Sequence, residues 1–277
     1  MADQLATPKT LPSRTAPYRA VLASRVRSQR SYRSNFALDL ASSALIGVIE
    51  LAEIWVLFHA VGVLGGYSFT EILLVYGIGD LAFSIADLVF GHCDNLPTYL
   101  RAGTLDVFYL RPQPILLQLI TSDISLRRMT RAGVAITCIV AAVWAGDIDW
   151  TPAKVVLLGL SIVCGTAIFA GQFIVAAGLQ FFLINGAEAT NAFVYSGRYA
   201  STQVASVWSQ PLKVLFGFFF PMAFAAFIPS LWILDKVGPS IFPSWLAWCT
   251  PIAALWTWLA AMVTWRWGLR HYQGGGG

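Results

Sequence analysis

Two acidic residues, Glu50 and Glu53, fall near the middle of a long apolar run. With Asp39 and Ser43 they keep three- and four-residue spacing, which sets them in one stripe on one helix face. Asp80, Ser84 and Asp87 form a second stripe, at i, i+4 and i+7, in the next apolar run. Carboxylates so placed have two readings. They line a water-accessible path or gate, or they pair with other helices inside the fold, with Asp87 close enough to the end of its run to meet an arginine. An acid at mid-bilayer costs roughly 2.5–3.5 kcal/mol, while each Leu, Ile, Val or Phe returns about 0.3–0.6 kcal/mol. The 13 such residues between positions 36 and 61 therefore only about balance Glu50 and Glu53. The stripe must avoid lipid or take up protons.

A different chemistry is written in residues 100–112. Arg101 and Arg111 stand near the ends with Asp106 between them, and Leu100, Leu105, Phe108, Tyr109 and Leu110 are interspersed. Gly103 and the Pro112-Gln113-Pro114 run limit any helix there. Charges set among apolar residues in a short segment suit docking onto another protein.

Groups for covalent or metal chemistry are missing. None of the four lysines, Lys9, Lys154, Lys213 and Lys236, follows a glycine, so there is no P-loop for nucleotide phosphates. No nucleophile elbow and no zincin helix occur. Cys93, Cys138, Cys164 and Cys249 are far apart and read as polarizable fillers of an apolar interior. His59 and His92 stand at span ends and read as interface residues. The chain is expected to be no enzyme and to hold no cofactor or metal of its own.

These residues must be positioned by membrane helices. Of 277 residues, 57% are apolar and only 12% charged, against about a quarter charged in a soluble domain. Residues 1–16 read as a disordered lead without a secretory signal, and 272–277 as an added or disordered glycine tail. Across 17–34, Tyr18, Val21, Leu22 and Val26 share a face that Arg19, Arg27, Arg30 and Arg33 largely avoid, the pattern of an amphipathic helix in the headgroup region. Residues 35–271 then form one domain of six transmembrane helices, an all-α membrane protein.

The first span is expected over 36–61 and the second to end near Phe90, opened by the capping box Ser68-Phe69-Thr70-Glu71. Pro114 is expected to start a helix that runs on past Arg127, Arg128 and Arg131 into a third span over 129–145. Thr151 and Pro152 open a long fourth span to about Ile184, where Ala167 and Gly171 permit close packing. Residues 185–210 read as a polar surface stretch. The fifth span covers 212–228, with Pro221 as a bending point and Pro229 closing it. Residues 231–243 read as an outer re-entrant piece, and 244–267 as the sixth span. With the N-terminus inside, sixteen of the 18 Lys and Arg lie in the cytoplasm and only Lys154 and Lys236 outside, which puts residues 100–112 and both termini on the cytoplasmic side. The net charge of +4 reflects this orientation and not nucleic-acid binding.

Several landmarks, in this order, resemble a known family. They are Gly66-Tyr67-Ser68 with Glu71 and Tyr76-Gly77, then Leu100-Arg101-x-Gly103-x-Leu105-Asp106-x-x-x-Leu110-Arg111-Pro112. Tyr195-x-Gly197-Arg198-Tyr199, Pro211 and Phe220-Pro221-x-Ala223-Phe224 through Pro229 follow. Together they are similar to bacterial membrane permeases of the type-2 ABC transporter superfamily, in the branch whose six-span subunit is separate from its ATPase. Thr104 stands where an acidic residue is common in that pattern. The resemblance implies two permease subunits, identical or related, with two cytoplasmic ATPase subunits that carry ATP and Mg. It implies that residues 100–112 form a cytoplasmic coupling helix between spans two and three. It also implies an N-terminal helix along the inner leaflet, an outer re-entrant segment between spans five and six, and a central pathway lined by spans one, two and five. Such permeases mostly export lipids, glycans, drugs or peptides from the bacterial inner membrane. The same scaffold serves a sensory or mechanotransmitting subunit, and the intramembrane acids leave a proton- or cation-coupled transporter as a third reading.

Overall fold

The computed structural model describes residues 33–61, 65–123, 128–183 and 187–274. The expected lead, nearly all of the amphipathic helix, Arg127 and the last of the tail lie outside the described residues. Every regular element among the described residues is helical. Five helices are long and apolar enough to cross a membrane, and a bent pair would make a sixth.

Helix α1 (Arg33–Val61) carries the first acidic stripe and exposes most of its apolar side chains, among them Leu45, Ile49 and Val56. Helix α2 (Phe69–Phe90) lies at the centre of the bundle and is buried along most of its length. It starts as the sequence predicts. The Ser68 hydroxyl accepts from the Glu71 N–H, and the Ser68 N–H donates to the Glu71 carboxylate at 2.8 Å. Its last turn tightens into a 3-10 stretch, Gly91–Asn95, followed by the short α3 (Leu96–Arg101) and α4 (Asp106–Tyr109).

Helix α5 (Ile115–Ser122) does begin after Pro114, but it does not run on into the third span. Asp123 is extended, with φ −151° and ψ 144°, and ends it. Helix α6 (Arg128–Ala145) is a separate element packed on α2. The reason is local: Thr121 and Ser122 turn their hydroxyls back onto carbonyls of Leu117 and Gln118, the competition that weakens a helix end.

Helix α7 (Pro152–Gln180) opens with Thr151 as its cap and proline at its first position. It packs in parallel with the last long helix, here called α11 (Thr250–His271), in the most extensive helix pair among the described residues. Gly171 meets Thr257 and Gly178 meets Thr264, so the small residues of α7 let the two backbones approach.

Residues 185–210 differ most from their expected surface placement. Helix α8 (Ala187–Ser201) sits against α2 and α7. Along α2 it makes contacts in antiparallel order. Tyr195 reaches Asp94, Arg198 reaches Asp80, and Gly79 lies against Ser201. Further on, Ser206 lies against Gly65, beyond the other end of α2. Val194, Arg198, Ser201, Thr202 and Val204 are buried.

The chain then turns back. Helix α9 (Gln210–Val214) continues as a π-helical turn, Leu215–Phe219, breaks at Phe220–Pro221, and resumes through Met222–Phe224 into α10 (Phe227–Ile233). The two arms, Gln210–Phe219 and Met222–Ile233, are bent by 73°. The run 212–228 is therefore not one straight helix, and its break falls at the Pro221 bending point. Pro221 cannot donate into a helix, and the residue before it is pushed out of helical geometry, with Phe220 at φ −111° and ψ 91°. Pro229 does not close a helix either. It is the third residue of α10, where an N–H would have no intrahelical acceptor. Both ends of this bent pair return to the same end of the bundle, near Val207 on one side and, on the other, where Lys236 reaches Gly66 and Glu71.

Candidate functional site

The acids of the first two apolar runs do meet basic partners, and the partners come from helices distant in sequence. Arg198 of α8 lies with its Nη2 2.5 Å from Glu50 Oε2 and 2.7 Å from Asp80 Oδ1. Its Nε donates to the same Asp80 oxygen at 2.8 Å. Arg131 of α6 donates from Nη2 to Glu50 Oε1 at 2.6 Å, and the Tyr76 hydroxyl donates to Glu50 Oε2 at 2.9 Å. One carboxylate thus gathers α1, α2, α6 and α8. Glu50 and Asp80 against Arg131 and Arg198 leave the cluster formally neutral, the condition on which four ionised groups survive in an apolar interior.

Local packing fixes the geometry. The Arg198 guanidinium stands 5.4 Å above the ring of Phe83, a fully buried residue that also meets Phe169 edge-on at 5.2 Å. A planar cation over an aromatic face, with both edges facing carboxylates, has little rotational freedom. Asp80 is 1% exposed and sits behind Arg198.

Glu53 is exposed and accepts from the Tyr199 hydroxyl at 3.2 Å. A cleft opens beside Glu50 and Glu53, between Ile54, Ile72, Tyr199 and Gln203. Pro221 is not in this cluster. It is buried at the bend, where Phe220 stacks edge-on against Phe193 at 4.1 Å and Met222 lies against Gly197, next to Arg198. A second ion pair, Arg128 to Asp87 at 3.1 Å, ties the start of α6 to the end of α2.

Residues 100–112 lie at the far end of the bundle from Gly65 and Lys236. Gly103 has φ +65°, a left-handed turn that admits glycine most readily, and its N–H donates to the Leu100 carbonyl. Leu105 is fully buried and Phe108 nearly so, and Gln118 Nε2 donates to the carbonyls of Phe108 at 3.0 Å and Gln113 at 2.8 Å. Leu105 and Phe108 thus belong to the chain's own core. What faces outward is Arg101, Val107, Tyr109, Leu110 and Arg111, with Leu110 at 84% exposure. Leu100 is half-buried. Asp106 accepts from the Tyr272 hydroxyl at 2.8 Å. Burial, together with that hydrogen bond, pushes the Tyr272 phenol up to about 12.

Sequence reasoning singled out Glu50, Glu53, Asp80, Arg101, Asp106 and Arg111 but missed Arg198, Arg131 and Tyr76 as partners. One signal was there. Arg198 is the only charged residue between Glu188 and Lys213, and two acids inside membrane helices require a cation from somewhere.

A family model described as an ABC-2 family transporter protein matches residues 44–276, which includes the charged cluster and the exposed segment. No curated protein and no solved structure matches the chain.

Proposed function

The chain belongs to the ABC-2 family of transporter proteins, and on that premise we propose that it is the permease subunit of an ATP-driven exporter in a bacterial inner membrane. A family member of this kind is a multi-pass transport component without its own ATPase site, and an ABC ATPase is its general partner. The observation that carries the finer reading is the exposed set Arg101, Tyr109, Leu110 and Arg111, presented on a segment that Leu105, Phe108 and Gln118 hold in place. A large aliphatic side chain beside two arginines, on a rigid support, is a docking surface for an acidic and apolar groove. In this reading the groove belongs to the ATPase, which supplies ATP and Mg, and two such ATPases work with two permeases.

The arginines around residues 101–131 support a cytoplasmic place for this segment. The fifth crossing is then α8 with residues 202–207, since its contacts run the length of α2, and the bent pair becomes a re-entrant hairpin from the outer side. Lys213 moves to the outer side in this topology, and the positive-inside bias survives.

In the mechanism, ATP-driven closure of the ATPases moves residues 100–112. The exposed face of α1, with Glu53, meets the second permease or the transported molecule, and the Glu50–Arg198 contact holds α1 against the bundle in the closed state. A lipid, glycan, drug or peptide leaves along α1, α2 and α8. The test is co-expression with the candidate ATPase. The unaltered chain is expected to retain the ATPase through purification and to raise its ATP turnover, and Arg111→Glu to lose both. Unchanged retention and turnover in Arg111→Glu would refute the docking assignment.

A further inference from the structure

The exposed segment has a second attachment, independent of the chain that leads into it. Tyr272 is the first residue after α11, in extended geometry with φ −70° and ψ 120°. Its hydroxyl donates to Asp106 Oδ1 at 2.8 Å. Its ring lies parallel to that of Tyr109, with centroids 5.8 Å apart and planes 6° apart. A third contact, edge-on to Phe181 at 6.1 Å, joins the same ring to the end of α7. One side chain thereby touches the docking segment and the ends of two long helices that are themselves packed through Gly171 and Gly178.

We propose that Tyr272 is a positioning residue for energy coupling, a strap through which displacement of residues 106–109 is passed directly to the α7–α11 pair. This rests on the reading of residues 100–112 as the ATPase-docking segment. The geometry favours transmission over mere anchoring. The hydroxyl and the ring hold the segment at two adjacent points, Asp106 and Tyr109, so the segment cannot pivot about one of them without breaking the other. Both points lie beside the outward-facing Leu110 and Arg111, where a partner's push is received. Without the strap, force has to travel to α11 by longer routes, among them α2, α7 and their side-chain contacts.

The experiment uses the full chain in lipid nanodiscs, unaltered and as Tyr272→Phe and Tyr272→Ala. Tyr272→Phe keeps the stacking and removes only the hydroxyl, so it guards against a variant that fails to fold. Amide hydrogen exchange over residues 102–111 is expected to rise about tenfold in Tyr272→Phe, as loss of a hydrogen bond to a carboxylate predicts, and further in Tyr272→Ala, which also loses the ring contact, with exchange in α2 unchanged. In complex with the ATPase, kcat for ATP is expected to fall in the same order with KM for ATP unchanged. Exchange over 102–111 that is the same in all three chains overturns the strap, whatever the ATPase does. Looser exchange with unaltered kcat overturns the transmission role. If the unaltered chain retains no ATPase, the docking reading fails and the transmission role with it, while the exchange result still decides the strap.

Discussion

Arg198 and Glu50 are 148 residues apart in sequence and 2.5 Å apart in space. The contact joins α1 to a helix whose lone arginine is 8% exposed, and the same guanidinium neutralises Asp80. Removing it leaves a buried carboxylate without its main counter-charge. Arg198→Gln should destabilise the chain by about 3–5 kcal/mol. The double variant Arg198→Gln with Asp80→Asn should recover part of that loss. Thermal unfolding in detergent, read by intrinsic fluorescence, checks both. An additive pair of effects would show that the two residues do not act on each other.

Glu50→Gln tests the attachment of α1. Its carboxylate accepts from Arg131, Arg198 and Tyr76, while the rest of α1 is largely exposed. Hydrogen exchange over residues 41–60 is expected to rise in this variant while α2 stays protected. Equal protection of α1 before and after would mean that apolar contacts hold it.

Gly91 allows Arg128 to cross onto Asp87, because a methyl group at position 91 would overlap both the guanidinium and the carboxylate. Gly91→Ala should cost about 1–3 kcal/mol by overpacking and separate the pair. The melting temperature measures the cost, and Gly133→Ala, where a methyl meets open space, is the matched control.

At Gly103 the demand is conformational. With φ +65°, a residue bearing a Cβ is strained there by about 1–2 kcal/mol. Gly103→Ala should lower the melting temperature by about a few degrees and tilt Arg101 relative to Arg111. Reduced co-purification of the ATPase is the expected outcome.

The Tyr272–Asp106 hydrogen bond also has a pH dependence. Because the phenol's ionisation lies near 12 and its ordinary value near 10, the protonated form is favoured in the folded chain. The contribution is therefore fully present below the ordinary value and lost as pH rises through about 12. Exchange over residues 102–111, corrected for intrinsic rates, should be flat between about pH 6 and 9.

Much of the helix framework was legible because its signals are local. Ser68 with Glu71, and Thr151 with Pro152, mark helix starts by side-chain chemistry within four residues. Long apolar runs marked α1, α2, α6 and α7 by composition alone. The failures are equally physical. Residues 185–210 looked like surface chain because their polar composition was read without matching Arg198 to the membrane acids that need a cation. In the apolar run after Leu212 the bend at Pro221 was legible from its missing N–H, but its 73° size was not, because it depends on how the two arms pack. Leu105 and Leu110 read alike as docking residues, and only packing separates the one in the core from the one in the open.

The contrast between the two sides of the bundle has a physical consequence. Glycine-to-backbone packing between α7 and α11 depends on contact distance and hardly at all on the medium around it. The fastening of α1 combines apolar contacts, such as buried Ile54 and the Phe58–Phe69 ring pair, with the ion pairs of Glu50, and the ion-pair part depends on the dielectric. Two opposite charges 4 Å apart attract by about 4 kcal/mol at an effective dielectric constant of 20 and by about 1 kcal/mol in water. Water in the cleft beside Glu53 raises the local dielectric at Glu50 and so weakens its ion pairs. The hold of Glu50 on α1 is therefore sensitive to wetting, whereas the glycine-packed pair is not.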